Sequence, residues 1–164
     1  MAVQDKFIDA LVAAGKKGNP GKVSGGKICT VVFTFEQAAA DNDTSVYRLA
    51  RLPANAIPVK CEIYADGAID GSDYDLGLYD PGVGGAVVDA NCFADAIDLS
   101  SGVAVTAGAN NGLKSLAIED VGSKIWEILD LSAPGRQDYD LCLTANTAGG
   151  AAGTISGFFQ YILG

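Results

Sequence analysis

Apolar side chains alternate with polar ones in a series of short runs from residue 28 onward, and a period of two commits such runs to strands with one buried face. The clearest run is 56–65. Ile57, Val59, Cys61, Ile63 and Ala65 point one way, and Lys60, Glu62 and Tyr64 the other. Over 28–36, Cys29, Val31, Phe33 and Phe35 share a face opposite Thr30, Thr34 and Glu36, with Val32 out of pattern. Residues 74–79 place Tyr74, Leu76 and Leu78 together, and 154–163 does the same with Ile155, Phe159, Tyr161 and Leu163. Residues 46–51 and 138–145 read as further strands. Pro58 has no N–H to give, so 56–65 is predicted to be an edge strand or to begin near its proline.

Turn chemistry separates these runs: DNDTS at 41–45, DGAIDGSD at 66–73 and PGVGG at 81–85. The 21 glycines in 164 residues, well above the usual share, agree with many turns. Residues 86–98 fit either a short helix or irregular structure, and short strands are expected around 103–106 and 114–118. Residues 121–131 predict a helix, with Val121, Ile125, Ile128 and Leu129 on one face and Asp120 or Ser123 as its cap. The fold class that follows is all-β: an antiparallel β-sandwich, jelly-roll-like, with one or two short helices and an N-terminal arm. Residues 1–27 form the arm and linker. A short helix is drawn over 2–14 from Phe7, Leu11 and Ala14, and a Gly/Lys/Pro-rich stretch follows it. Residues 28–164 form the sandwich domain.

The chain echoes itself once. DYDLGL at 73–78 and DYDLCL at 138–143 predict two equivalent strands in facing sheets, Tyr and Leu inward and Asp outward in water.

Charge is divided unevenly. The net charge is −9. Residues 1–27 hold five lysines (Lys6, Lys16, Lys17, Lys22 and Lys27) against two aspartates, a net of +3, and the remainder carries −12. A basic arm therefore precedes an acidic body, and the arm is a candidate contact element for an acidic neighbour such as the next subunit. An acidic body repels phosphate backbones, so no nucleic-acid partner is expected. No apolar run approaches the length of a membrane span, and the opening residues lack the basic start of a secretory signal.

The chain has no histidine. That excludes Ser-His-Asp and Cys-His hydrolases and His-ligated metal sites. The cysteines, Cys29, Cys61, Cys92 and Cys142, show no metal or redox spacing and read as free thiols, which suits assembly in a reducing cytoplasm. The acid pairs Asp73/Asp75 and Asp138/Asp140 lie on a face expected to be solvated. Asp66, Asp70, Asp73 and Asp75 crowd one turn, where a structural calcium is conceivable, but their spacing is not that of an EF-hand. No catalytic, cofactor-binding or metal residues are assigned, and no enzyme activity is expected.

One resemblance adds a role. YRLARLPANAIP at 47–58 is followed by EIYADGAID at 62–70, YDLGLYD at 74–80, VGSKIWEILDL at 121–131 and TANTAGGAAGTISGFFQYILG at 144–164. This order resembles a group of small virion structural proteins of tailed bacteriophages, some of which resemble jelly-roll head decoration, or cement, proteins. The resemblance implies a dimer or trimer on the outer capsid surface that reinforces seams of the major capsid protein, without cofactor. A tail, collar or fibre-base component, with receptor or carbohydrate binding, is the alternative.

Overall fold

The computed structural model describes residues 27–39, 41–66, 73–100, 102, 110–147 and 151–164. Among them are seven strands: β1 (Ile28–Gln37), β2 (Val46–Pro53), β3 (Ala56–Ala65), β4 (Asp73–Tyr79), β5 (Val87–Asp98), β6 (Asp138–Thr147) and β7 (Gly153–Leu163). They form two antiparallel sheets, β1-β7-β3 and β2-β6-β4-β5. The pairs β1–β7, β2–β6 and β4–β5 are nested, first strand with last. This is a jelly-roll-like order in which β3 has no nested partner; that place belongs to the segment between β5 and β6.

The two inner faces meet in one apolar layer. Leu52, Ile63, Leu76, Leu78, Phe93, Leu141, Leu143 and Phe159 are fully enclosed, and Tyr74 and Tyr139 join them. Each such side chain contributes about 1.5–3 kcal/mol when removed from water, so this layer outweighs any single polar contact. The Phe93 and Phe159 rings, 5.5 Å apart, join β5 of one sheet to β7 of the other. Gly157 sits between Phe33 and Ile63 in register, and a Cβ there would come within 2.6 Å of the Phe33 ring and 2.3 Å of the Glu62 carbonyl oxygen. Glycine is required there to let the ring lie against the sheet.

The edge of β3 is closed by side chains. Asn110, in the left-handed region at φ 54° that asparagine tolerates, accepts the Cys61 N–H at 2.8 Å through its Oδ1. Asn111 Oδ1 accepts the Ile63 N–H at 2.9 Å, and its Nδ2 donates to the Ile63 carbonyl at 2.8 Å. Two amides thus reproduce the ladder an eighth strand would supply. The 3-10 turn that follows, Asn111–Leu113, packs against both β3 and β5 and closes this side of the sandwich.

Several expectations change. Residues 87–98 are strand β5, not a helix or irregular: Leu76 faces Ala94 and Leu78 faces Asp89, so extra residues bulge out and scramble the alternation. Residues 114–118 are turn and the start of a 3-10 turn (Ile118–Asp120), not a strand. The helix expected over 121–131 shrinks to α1 (Ile125–Ile128). Gly122 at φ 90° stops it at the front. Asp130, left-handed at φ 54°, ends it, and the Leu131 N–H donates to the Trp126 carbonyl at 3.1 Å. Its first residues are held by Glu127, whose Oε2 accepts the Lys124 N–H at 2.7 Å, rather than by Asp120 or Ser123. The echoed strands β4 and β6 are hydrogen-bonded neighbours in one sheet, not members of facing sheets. Proline-bearing β3 is an edge strand, as expected. The expected helix over 2–14 and strand over 103–106 lie outside the described residues.

Replacing Asn111 with Ala leaves the Ile63 N–H and carbonyl without partners. The expected loss is about 2 kcal/mol, read as a lower urea midpoint at unchanged slope.

Candidate functional site

The residues singled out for chemistry serve the fold. Asp140 was expected in water but is buried, with a side chain 7% exposed. Its Oδ2 accepts Arg48 Nη1 at 3.0 Å and the Gly82 N–H at 2.7 Å, and its Oδ1 accepts Arg51 Nε at 2.9 Å. Burial alone would raise its pKa, but the bonds from Arg51, Gly82 and Arg48 outweigh it and hold the carboxyl below its ordinary value. Arg48 also donates to the carbonyls of Asp80 (3.0 Å) and Gly85 (3.1 Å), so the 80–85 turn is pinned against β2 and β6. Asp75, also expected in water, is buried. Its Oδ1 accepts the Ala96 N–H at 2.9 Å and Asn146 Nδ2 at 2.6 Å, fixing the bulge of β5. Asp66 Oδ2 accepts the Thr154 N–H at 3.0 Å. Asp70 lies outside the described residues, and among those described no three metal-binding side chains gather.

The titratable groups that shift move away from neutral pH. Burial pushes the Cys142 thiol up to about 12, and raises Cys61 and Cys92 as well. The Tyr47 phenol rises through burial and its bond to Asp41, at 2.7 Å. Glu62 is held low by Lys60, then by Tyr64, and Asp98 by Ser100. Catalytic groups are tuned toward the working pH; these are tuned away from it.

What is left is surface. On the outer face of the three-stranded sheet, Val32 is 74% exposed beside half-buried Phe158. Lys60 sits 5.5 Å over the Phe158 ring and pairs with Glu62 at 2.6 Å, and Tyr64 donates to the same carboxylate. Strand β7 has no charged residue, β1 only Glu36, and β3 the Lys60–Glu62 pair, so this sheet is close to neutral. Between the β1 and β2 edges runs a groove of about 460 Å³, flanked by the stacked Phe35 and Tyr47 rings, 4.6 Å apart. Of the five candidate arm lysines, Lys27 is exposed at the entrance to β1; Lys6, Lys16, Lys17 and Lys22 lie outside the described residues. Among those residues no helix is long and apolar enough to cross a membrane.

No protein-family model matches the chain, and no curated protein matches it. Two solved structures are similar. One is a chain of the cyanophage Pam1 capsid asymmetric unit, 16% identical with a TM-score of 0.56, covering 100% of both chains. The other is a chain of the capsid of Ralstonia phage GP4, 17% identical with a TM-score of 0.49, covering 85% of this chain and 84% of that one. At such identities the shared property is the fold.

Exchanging Asp140 for Asn should cost about 1.5–3 kcal/mol, because it takes the charged hydrogen-bond partner from half-buried Arg48 and from Arg51. The native chain should keep the carboxylate's contribution above the unfolded pKa and lose it as pH falls through the lower folded value. In D140N that acid limb should flatten, as followed by thermal unfolding between pH 7 and pH 2.

Proposed function

We propose that this chain is a bacteriophage virion structural protein, most specifically a capsid decoration or cement protein that binds the outer head surface and stabilises it. The observation that carries this reading is a likeness spanning the whole of both chains, to a chain of the Pam1 capsid asymmetric unit. The absence of tuned acid–base or nucleophilic groups among the described residues supports a binding role over a catalytic one. The major capsid protein is the proposed partner, with self-association as a dimer or trimer. Docking repeated over a symmetric shell turns modest contacts into high avidity.

The arm supplies the charge logic. Lys6, Lys16, Lys17, Lys22 and Lys27 give residues 1–27 a net +3 against a body of −12, so the arm is attracted to acidic ground that the body avoids. Extended, it can span up to about 3.3–3.6 Å per residue, enough to reach beyond its own domain.

Co-sedimentation with empty capsids tests the role. The native chain should pellet with heads and raise their melting temperature. Charge reversal of the five lysines to Glu should reduce capsid binding about tenfold or more, and added salt should weaken native binding. Labelled chain found on the tail or collar by electron microscopy would overturn the head assignment.

A further inference from the structure

A sandwich with two open sheets has four edges, and unprotected edges invite other strands. Three edges here are blunted. β3 carries Pro58, a register break at Val59, and the capping amides of Asn110 and Asn111. β5 breaks register with β4 three times and turns left-handed at Ala96. β2 breaks register between Arg48 and Ala50 and carries two arginines. β1 has none of these devices. Its ten residues pair with β7 without a single shift, it has no proline, and no charge interrupts Ile28–Phe35. Among the described residues no strand lies on its outer side.

The sequence of β1 is complementary to itself read backwards. Laid antiparallel against a second copy so that all of 28–36 pairs, it centres on Val32. Val32 then faces Val32, Thr30 faces Thr34, and Val31 faces Phe33. Thr–Thr and aromatic–β-branched pairs are the favoured cross-strand matches. The even register keeps exposed Val32 on the outer face of both copies and Phe33 in both cores. Antiparallel addition also brings the Lys27 end of each strand to the Glu36 end of its partner, the one place where this chain can offset charge across such a contact. The sheet that would extend is the near-neutral one.

We propose that β1 is the interface between two copies of this chain, joined antiparallel about a two-fold axis at Val32 into a six-stranded sheet, β3-β7-β1-β1-β7-β3. It rests on the self-association in the reading above and not on the capsid partner. Isologous contacts of this kind are the commonest route to a closed dimer.

Sedimentation equilibrium of the full chain, without capsids, should give twice the 16.7 kDa chain mass. Val32→Lys sets two ammonium groups face to face on the axis and should halve that mass with an unchanged circular-dichroism spectrum. In Val32→Cys the axis residues lie about 4.5–5.5 Å apart between Cα atoms, within disulfide span. Mild oxidation should therefore give a linked dimer that neither the native chain nor Val88→Cys on β5 forms. A one-chain or three-chain native mass, a V32K variant that keeps the native mass, or failure of V32C to link would each overturn the proposal. Should V32K misfold, V32C decides. Capsid co-sedimentation of V32K is read separately, so loss of the dimer and loss of head binding are distinguishable.

Discussion

The structure depends on its two last strands each taking an interior position, one in each sheet. β7 lies between β1 and β3, and β6 between β2 and β4. Ile28 therefore pairs with Ile162, and Val46 with Thr144. Neither sheet can form its inner face until the C-terminal residues are in place, and the loop-closure entropy of these long pairings must be met before the core offsets it. The apolar layer then forms as a unit, because Phe93 of one sheet needs Phe159 of the other. A fold closed this way has its C-terminal strands tied into the middle of both sheets, which favours a rigid block over a hinged one.

Polar side chains finish what the strands leave undone. Asn110 and Asn111 substitute for a missing ladder, Asp75 steadies the bulge of β5, and Asp140 gathers Arg48, Arg51 and the 80–85 turn. Asn110 and Asn111 occupy N–H groups of buried Cys61 and Ile63 that would otherwise lack a partner, at a cost of about 1–3 kcal/mol apiece. The cluster of Asp140, Arg48 and Arg51 is the clasp of the 80–85 loop.

Legibility followed the regularity of the backbone. β1, β4, β6 and β7 keep period two over most of their length, and their inner residues were readable, down to Tyr74, Leu76, Leu78 and Tyr139, Leu141, Leu143 in the echoed pair. In β3 only Cys61, Ile63 and Ala65 face inward as read; the register break at Val59 leaves that residue exposed and buries Ala56 and Pro58 in place of Ile57. β5 was not, because extra residues opposite β4 shift the phase midway. The helix of 121–131 was overdrawn because amphipathic spacing cannot reveal that Gly122 and Asp130 adopt left-handed backbone at its ends. Asp140 was misjudged for a subtler reason. Arg48 and Arg51 are three apart, which in a flat strand puts them on opposite faces; the register break between Arg48 and Ala50 brings both onto Asp140. That signal lies in the pairing register, which a single strand does not carry. Of the arm lysines, only Lys27 falls among the described residues.

The distribution of charge then bears on how such a block meets its neighbours. The four-stranded sheet holds Asp73, Asp75, Asp89, Asp95, Asp98, Asp138 and Asp140 against two arginines, whereas the three-stranded sheet holds Glu36 and the Lys60–Glu62 pair. Two bodies of net −12 repel within about a Debye length, roughly 8–10 Å at moderate salt. Repulsion is least where the sheet of low charge leads the approach. In the proposed pairing β1 of one copy meets β1 of the other, and the only charges brought near each other are those at the Lys27 and Glu36 ends. In the proposed dimer, acidic surface elsewhere would penalise other orientations, which is how charge confers specificity without adding much affinity. A near-neutral sheet ending in an unblunted strand, set in an acidic body, is a geometry that selects one mode of approach by penalising the others.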